Sequence, residues 1–207
     1  MPLIWALATS SERHPKSCME CCTILASYSA MFIRNLILLA LLAAAQPSAA
    51  ESYQSPDEFL QEVFATTSPS PQVLWLKGEI KETAAAILGH PYPALRIRYW
   101  TSAGRTAWIL EEIGKEKPIT VGMVIGADGM EMLRVLEFRE SRGWEVRYPF
   151  FTDQFAGIGI SLDRQLDRHI DGISGATLSV RALKKLARLA LYLHQQMQAA
   201  DDSPPQK

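Results

Sequence analysis

Four consecutive segments with strand periodicity constrain the fold of this chain more than any other feature. In the first of them, Leu95, Ile97 and Tyr99 alternate with arginines, which is the period-two pattern of a half-buried strand. The four segments are 94–100, 106–112, 119–126 and 130–139. Short turns join them in pairs, and the second turn ends in Asp128-Gly129, a strong hairpin signal. Successive hairpins predict an antiparallel sheet.

Helical periodicity flanks this strand region on both sides. Residues 56–64 begin with acidic residues and then place apolar residues at helical spacing, which predicts a helix. An extended piece is expected over 72–76 and a second helix over 77–88, ending at Gly89. A final helix is expected from Leu178 to about Met197, with an apolar stripe on one face. The predicted fold class is therefore α+β, a mainly antiparallel sheet flanked by helices with a long C-terminal helix.

The N-terminal region has the make-up of a secretory signal peptide over residues 31–50. Arg34 precedes an apolar run over 36–45, and the small residues Ser48 and Ala50 form a cleavage site. The run is shorter than the roughly 20 residues of a spanning helix. We therefore expect cleavage after Ala50 and a periplasmic or other extracytoplasmic location, with membrane association left open. Residues 1–30 are then a doubtful extension, the folded domain covers 51–200, and 201–207 form a disordered tail.

Charge and cysteine content exclude several classes of function. Without residues 1–50 the chain keeps 18 basic and 20 acidic residues, a formal charge of −2, which lacks the basic surplus of a nucleic-acid binder. The three cysteines, Cys18, Cys21 and Cys22, all lie in the doubtful extension. No second pair or histidine set completes a metal site, so none is expected.

A nine-residue segment of small and hydroxyl residues, Asp171-Gly-Ile-Ser-Gly-Ala-Thr-Leu-Ser179, opens the C-terminal helix. Gly175 lets the backbone approach a ligand closely, and Ala176 keeps the loop free of bulk. Unpaired N–H groups and the helix dipole favour a phosphate beside Thr177. Ser174 and Ser179 offer hydroxyl hydrogen bonds or a helix cap. Arg181, one turn later, is placed to pair with a phosphate.

The pattern D-x-x-S-G-A-T-x-S resembles the signature of the FMN-binding domain family. That family includes the flavin-carrying subunits of the sodium-pumping NADH:quinone oxidoreductase and of the Rnf complexes. The resemblance implies that 51–200 is an FMN-binding domain and that Thr177 carries FMN through a phosphoester. It also implies a partner, a separate flavin transferase that uses FAD as donor. Asp171 belongs to the signature, and fixing the loop or recognition by that transferase are both open as its role.

A second family stretch, resembling E-T-x-G-x-G, corresponds here to Glu140-Ser-Arg-Gly-Trp-Glu145. It lacks the second glycine and gains Trp144. The expected cofactor-binding residues are Asp171, Ser174, Gly175, Ala176, Thr177, Ser179, Arg181, Glu140 and Trp144. Two roles remain open for the aromatic residues Phe150, Phe151 and Phe155: they either line a slot for the flavin ring or belong to the hydrophobic core.

These features favour an exported electron-transfer flavoprotein that passes electrons between membrane or periplasmic redox partners. No catalytic side chain is expected, because the cofactor carries the redox chemistry. A reductase that binds FMN noncovalently and acts on a small periplasmic substrate is the alternative, and a non-redox module is a third reading. Apart from Arg181, the basic residues of the last helix, Lys184, Lys185 and Arg188, favour a solvated helix face over a docking patch for an acidic redox partner.

Overall fold

The structure is a computed structural model that describes residues 51–65 and 69–201. Its helices are α1 (Pro56–Phe64), α2 (Gly78–Leu88), α3 (Pro149–Thr152) and α4 (Thr177–Asp201). Its strands are β1 (Glu51–Ser52), β2 (Gln72–Trp75), β3 (Arg96–Ser102), β4 (Arg105–Ile113), β5 (Pro118–Gly126) and β6 (Gly129–Phe138). Two 3-10 turns, Trp144–Arg147 and Asp153–Phe155, flank α3.

The strands form one antiparallel sheet in the order β1-β6-β5-β4-β3-β2. The central four strands are the two predicted hairpins, so the α+β fold with an antiparallel sheet is confirmed. Strand β2 adds the predicted extended piece at one edge, and the two-residue strand β1 lies at the other. Together they place β5 and β4 in the middle of the sheet.

One face of the sheet packs against α2 and α4 and forms the main core. Tyr99, Trp108, Met123 and Leu133 lie opposite one another in adjacent strands and are all buried. Tyr99 and Trp108 stack with ring centroids 5.0 Å apart. Helix α4 adds leucines and alanines at helical spacing to the same core. The predicted apolar stripe of the last helix therefore holds α4 across the strands.

The other face of the sheet is covered by α1. Phe59, Val63 and Phe64 pack there on Ala107, Val124 and Leu136. A Cβ on Gly122 would lie 2.8 Å from the ring of Phe59, so the close approach of α1 requires glycine at that position. Ser55 and Glu58 begin the helix with a capping box, in which each side chain accepts the other residue's N–H.

A long connection, residues 156–176, runs from the helical turns around α3 to the start of α4. It first pairs with the sheet, where Met130 N–H donates to Ile158 O at 2.9 Å. Further on, α4 holds it: Lys184 Nζ donates to Ile170 O at 2.6 Å and Arg188 Nε to Arg164 O at 2.7 Å. These two cations are half-buried. The favoured reading of this helix face as merely solvated is thus wrong for them, because they anchor the connection.

A buried carboxylate links the sheet to α4. Glu112, on β4, has a side chain only 3% exposed, and its Oε1 lies 2.9 Å from Lys185 Nζ. His90 Nε2 lies 3.0 Å from Glu112 Oε2. A hydrogen bond to the Pro91 carbonyl and the bond to Glu112 raise the pKa of His90 above its ordinary value of 6.5. Two partners thus compensate the charge of a buried acid.

This arrangement makes folding stability depend on the protonation of His90. A raised pKa in the folded state gives stability that is fully present below the unfolded pKa and is lost as pH rises through the folded pKa. We expect the unfolding free energy of the wild type to fall, relative to that of His90→Gln, between pH 6 and pH 9 in urea titrations. Parallel curves for the two proteins over this range would show that the imidazolium contributes nothing.

Several expectations fall outside the described residues. The doubtful extension over 1–30, the signal peptide over 31–50 and most of the tail over 201–207 lie there. Within the ranges 51–65 and 69–201, the structure contains no helix with the length and apolar content needed to cross a bilayer.

Candidate functional site

Thr177 is the first residue of α4 and its side chain is exposed. It lies in a groove of about 560 Å³, which we call the threonine groove. The residues that line it come from three parts of the chain: Lys115 from the turn before β5, Glu140 to Arg142 from the segment after β6, and Gly175 to Ser179. Thr177 is therefore open to solvent and stands beside a concave surface.

The backbone around Thr177 presents unpaired donors. Ala176 N–H donates to Ile173 O at 3.0 Å, and Val180 N–H donates to Ala176 O at 2.9 Å, which is the first bond of the helix. Among the hydrogen bonds of the described residues, none uses the N–H groups of Thr177, Leu178 or Ser179. Three donors at the positive end of the helix dipole suit an anion such as a phosphate group.

The loop before the helix has the conformation that its small residues predict. Gly175 has φ of +85°, where glycine is favoured over other residues, and Ser174 beside it is exposed. Ala176 is 2% exposed and anchors the loop in the core. The Asp171 carboxylate is exposed and lies 3.7 Å from His169 Nε2, while its backbone N–H donates to Gln154. Asp171 thus stands at the entrance to the loop, on the solvent side.

The segment containing Trp144 packs directly on the start of α4. A Cβ on Gly143, which has φ of +86°, would lie 2.7 Å from Ser179 Oγ and 3.4 Å from Ala176. Ser179 is buried at this contact. The structure therefore brings together the two family stretches, 140–145 and 171–179, which are separated by 25 residues of chain.

An aromatic cluster extends from this contact along the surface. Trp144 is 41% exposed and meets Tyr148 edge to face at 5.6 Å between ring centroids. The Arg147 guanidinium lies 4.3 to 5.1 Å from the ring centroids of Tyr53, Trp144 and Tyr148. Phe151 and Phe155 are fully buried, so they belong to the core, whereas Phe150 is 63% exposed.

Glu140, expected to bind the cofactor, holds a turn of its own chain. Its Oε1 accepts the N–H groups of Lys115, Glu116 and Lys117 at 2.5, 2.6 and 2.8 Å. Burial by itself would raise the pKa of this carboxyl, but the three N–H donors outweigh it and hold the pKa below the usual 4.5. Glu140 lines the threonine groove and at the same time fixes the turn that carries Lys115.

We therefore expect Glu140→Ala to destabilise the fold by about 2 kcal/mol, since it leaves three N–H groups without their charged acceptor. Glu140→Gln keeps an acceptor oxygen and is expected to cost about half as much. Urea unfolding at pH 7 measures both. Because the pKa of Glu140 is lowered in the folded state, the extra unfolding free energy of wild type over Glu140→Gln is lost as pH falls through that folded-state pKa. If Glu140→Ala were as stable as the wild type, the carboxylate would not be needed for folding, and its role would be toward the cofactor alone.

Arg181 does not line the threonine groove. It is exposed and lines a neighbouring groove of about 600 Å³ further along α4. We call this the basic groove, after its five cationic residues Arg168, Arg181, Lys184, Lys185 and Arg188. The groove begins one helical turn from Thr177, so the arginine and the hydroxyl remain close along the helix.

Sequence reasoning missed two cations of the threonine groove. Lys115 and Arg142 both line it, and both are exposed. Arg142 stands inside the stretch that resembles the family motif, so its neighbourhood was a usable signal. Lys115 lies in a hairpin turn far from the signature in sequence, and only the pairing of β5 with β6 brings it there. Both carry charge that complements a phosphate.

A comparison with models of protein families matches the part of the chain that lines the threonine groove. The family model of the FMN-binding domain matches residues 114–192, a span that includes Lys115, Glu140 and the whole 171–179 signature. Neither a comparison with curated proteins nor one with solved structures gives a match. The chain accordingly carries, over residues 114–192, a domain of the FMN-binding domain family, and is a flavin-binding protein.

Proposed function

We propose that this chain is an exported electron carrier whose FMN is esterified through its phosphate to Thr177. The exposure of the Thr177 hydroxyl in a groove at the start of α4, inside the matched domain, carries this proposal. The signal-peptide pattern over 31–50 supports export, and a membrane or periplasmic redox partner would then supply and accept the electrons.

The groove suits the phosphate end of FMN. The free N–H groups of Thr177, Leu178 and Ser179 provide donors, and Lys115 and Arg142 provide positive charge for the single charge left on a phosphodiester. Gly175 leaves open space where any other residue would place a Cβ. These features favour an anion at this position over an apolar ligand.

Two exposed side chains next to the phosphate position suit the flavin ring. Leu178 is 40% exposed immediately after Thr177, and Trp144 is 41% exposed beside Gly143, which contacts the same helical turn. Flat apolar surface of this kind holds a ring system while leaving its edge accessible. When bound, FMN supplies the one- and two-electron chemistry, and the protein supplies its position and electrostatic surroundings.

Attachment is a transfer reaction in which Thr177 is the substrate. With FAD as donor, a bond forms between Thr177 Oγ and the FMN phosphorus, the phosphoanhydride bond of FAD breaks, and AMP leaves with its phosphate. The hydroxyl proton must go to a base. Glu140, the carboxylate that lines the groove, is held by three N–H donors with a lowered pKa, so the base is assigned to the flavin transferase.

The intact mass of the protein tests this proposal. Full-length chain, coexpressed with a flavin transferase and isolated from its final compartment, is expected to exceed its processed polypeptide mass by one FMN less one water. Peptide mapping is expected to place the increment on Thr177. Yellow protein that loses its flavin on denaturation and shows the bare polypeptide mass would instead identify a noncovalent FMN protein, as in the reductase alternative.

A further inference from the structure

We propose that the basic groove binds an acidic segment of the partner protein that exchanges electrons with the flavin. The inference rests on the proposed carrier function and names the chemistry of its partner. Sequence reasoning favoured a solvated face for Lys184, Lys185 and Arg188. The structure instead gathers cations from α4 and from the connection 156–176 around one concave surface.

The groove is positively charged, whereas the chain as a whole is slightly negative. Five cationic residues line it, while the whole chain has a formal charge of −1. Two carboxylates offset part of this charge, since Asp167 lines the groove and accepts the Gly159 N–H at 2.9 Å, and Glu112 is buried behind Lys185; five cations less two acids leave a surplus of three positive charges. His169 lines the groove next to them and lies 3.7 Å from Asp171. A positive surplus concentrated in one cleft attracts and orients an acidic partner.

Most of these cations are already held in place. Lys184 donates to Ile170 O, Lys185 to Glu112, Arg188 to Arg164 O and Arg168 to Gly157 O. Each bond uses one of three donors on a lysine or of five on an arginine, which leaves the others for a ligand. Side chains that are ordered before binding lose less entropy when they meet a carboxylate, so the groove is preorganised for anions.

The shape of the groove favours a protein segment over a lipid surface. Its volume is about 600 Å³, and Ile87, Leu166 and Ile170 add apolar lining between the cations. An extended acidic segment can insert carboxylates and methylene groups together into such a cleft. A flat layer of anionic headgroups would meet only the rim.

The position of the groove fits electron exchange. Arg181 follows Thr177 by one turn of α4, a rise of about 6 Å, so a segment seated there lies next to the attachment point. Lys115 and Arg142, which line the threonine groove at the start of the helix, add positive charge near the same attachment point. The attracting charge and the redox group would thus share one pole of the molecule.

A fluorescent hexaglutamate peptide probes the groove directly. We expect the full-length chain without flavin to bind it in anisotropy titrations, and binding to weaken by about tenfold between low and high ionic strength. Arg181→Glu and Arg168→Glu are each expected to weaken binding by about tenfold at low salt. Arg98→Glu, on β3 outside both grooves, makes the same charge change and is expected to alter binding by less than about twofold.

Three results would overturn the inference. The first is that the peptide shows no salt-dependent binding. The second is that Arg98→Glu loses as much peptide affinity as Arg181→Glu and Arg168→Glu. The third is that the protein fails to bind the peptide but binds phosphatidylglycerol vesicles in a way that depends on Arg181. These measurements need no cofactor. Peptide binding in the groove by a chain that acquires no flavin when it is coexpressed with a flavin transferase would therefore refute the carrier proposal and leave the binding of an acidic segment standing.

Reoxidation of the flavin-loaded protein relates the groove to electron exchange. Each ferricyanide ion takes one electron, so two are reduced per fully reduced flavin. Its rate constant per flavin is expected to fall several-fold in Arg181→Glu and in Arg168→Glu, and that for the cation hexaammineruthenium(III) to rise. Equal reoxidation rates in these variants and in Arg98→Glu would show that the charge of the groove does not affect electron exchange with the flavin. That result would overturn the proposal that the groove binds the electron-exchange partner.

Discussion

Replacement of Thr177 by alanine is expected to abolish covalent flavin completely. After coexpression with a flavin transferase, the wild type should give a fluorescent band on a denaturing gel, and Thr177→Ala should give none, because the variant has no oxygen to form the phosphoester. Thr177→Ser keeps a hydroxyl at the same helical position and is expected to retain a band. The effect is all-or-none at the level of the bond, which makes it the largest that the structure predicts.

Folding does not confound this result. Thr177 is exposed and lies in the first turn of α4, so its replacement should change the unfolding free energy by less than about 0.5 kcal/mol. Ser179→Ala serves as the neighbouring control, since it removes a different hydroxyl of the same turn. A band that persists in Thr177→Ala and disappears in Ser179→Ala would move the attachment to Ser179, and equal bands in all variants would falsify attachment at this helix.

The largest expected effect on stability is at Gly129, where β5 turns into β6. A Cβ there would lie 2.6 Å from Ile158 O, and the residue has φ of +114°, which is closed to other residues. We expect Gly129→Ala to lower the unfolding free energy by about 3 kcal/mol, part from backbone strain and part from the clash. Urea unfolding followed by tryptophan fluorescence would measure it.

Gly104→Ala separates the two parts of that cost. Gly104 has φ of +78° in the β3–β4 turn, but a Cβ there meets no atom within 4 Å. It therefore carries strain alone, about 1 kcal/mol. The difference between the two variants reports the contact between the hairpin and Ile158, where the connection to α4 is held against the sheet. Equal costs would mean that this connection moves aside without penalty.

Local periodicity was sufficient to predict most of the fold. Strands β3 to β6 follow from alternation and turn residues, and α2 ends where Gly89 adopts a left-handed conformation. Helix α4 begins within one residue of its expected start. Strand β1, with two residues, is too short to show any period. Its pairing with β6 depends on contacts distant in sequence, which periodicity does not contain.

The site shows the same division. The signature predicted where Thr177 lies, because small residues before a helix have a direct conformational meaning. It could not predict that Glu140 binds the turn at Lys115, or that Lys184 and Arg188 hold the preceding connection. A charge pattern on a helix tells which face a side chain occupies, whereas its partner is determined by the tertiary fold. Arg181 lines the basic groove one turn after Thr177, and its pairing with a phosphate stays a prediction.

The length of α4 has a practical consequence for handling this protein. The helix has 25 residues, so its two ends are about 37 Å apart. Thr177 stands at one end, and the residues that lead into the C-terminal segment stand at the other. A purification tag or surface linker placed after Asp201 is thus held away from Thr177, and immobilisation through that end would leave the threonine groove turned toward solution.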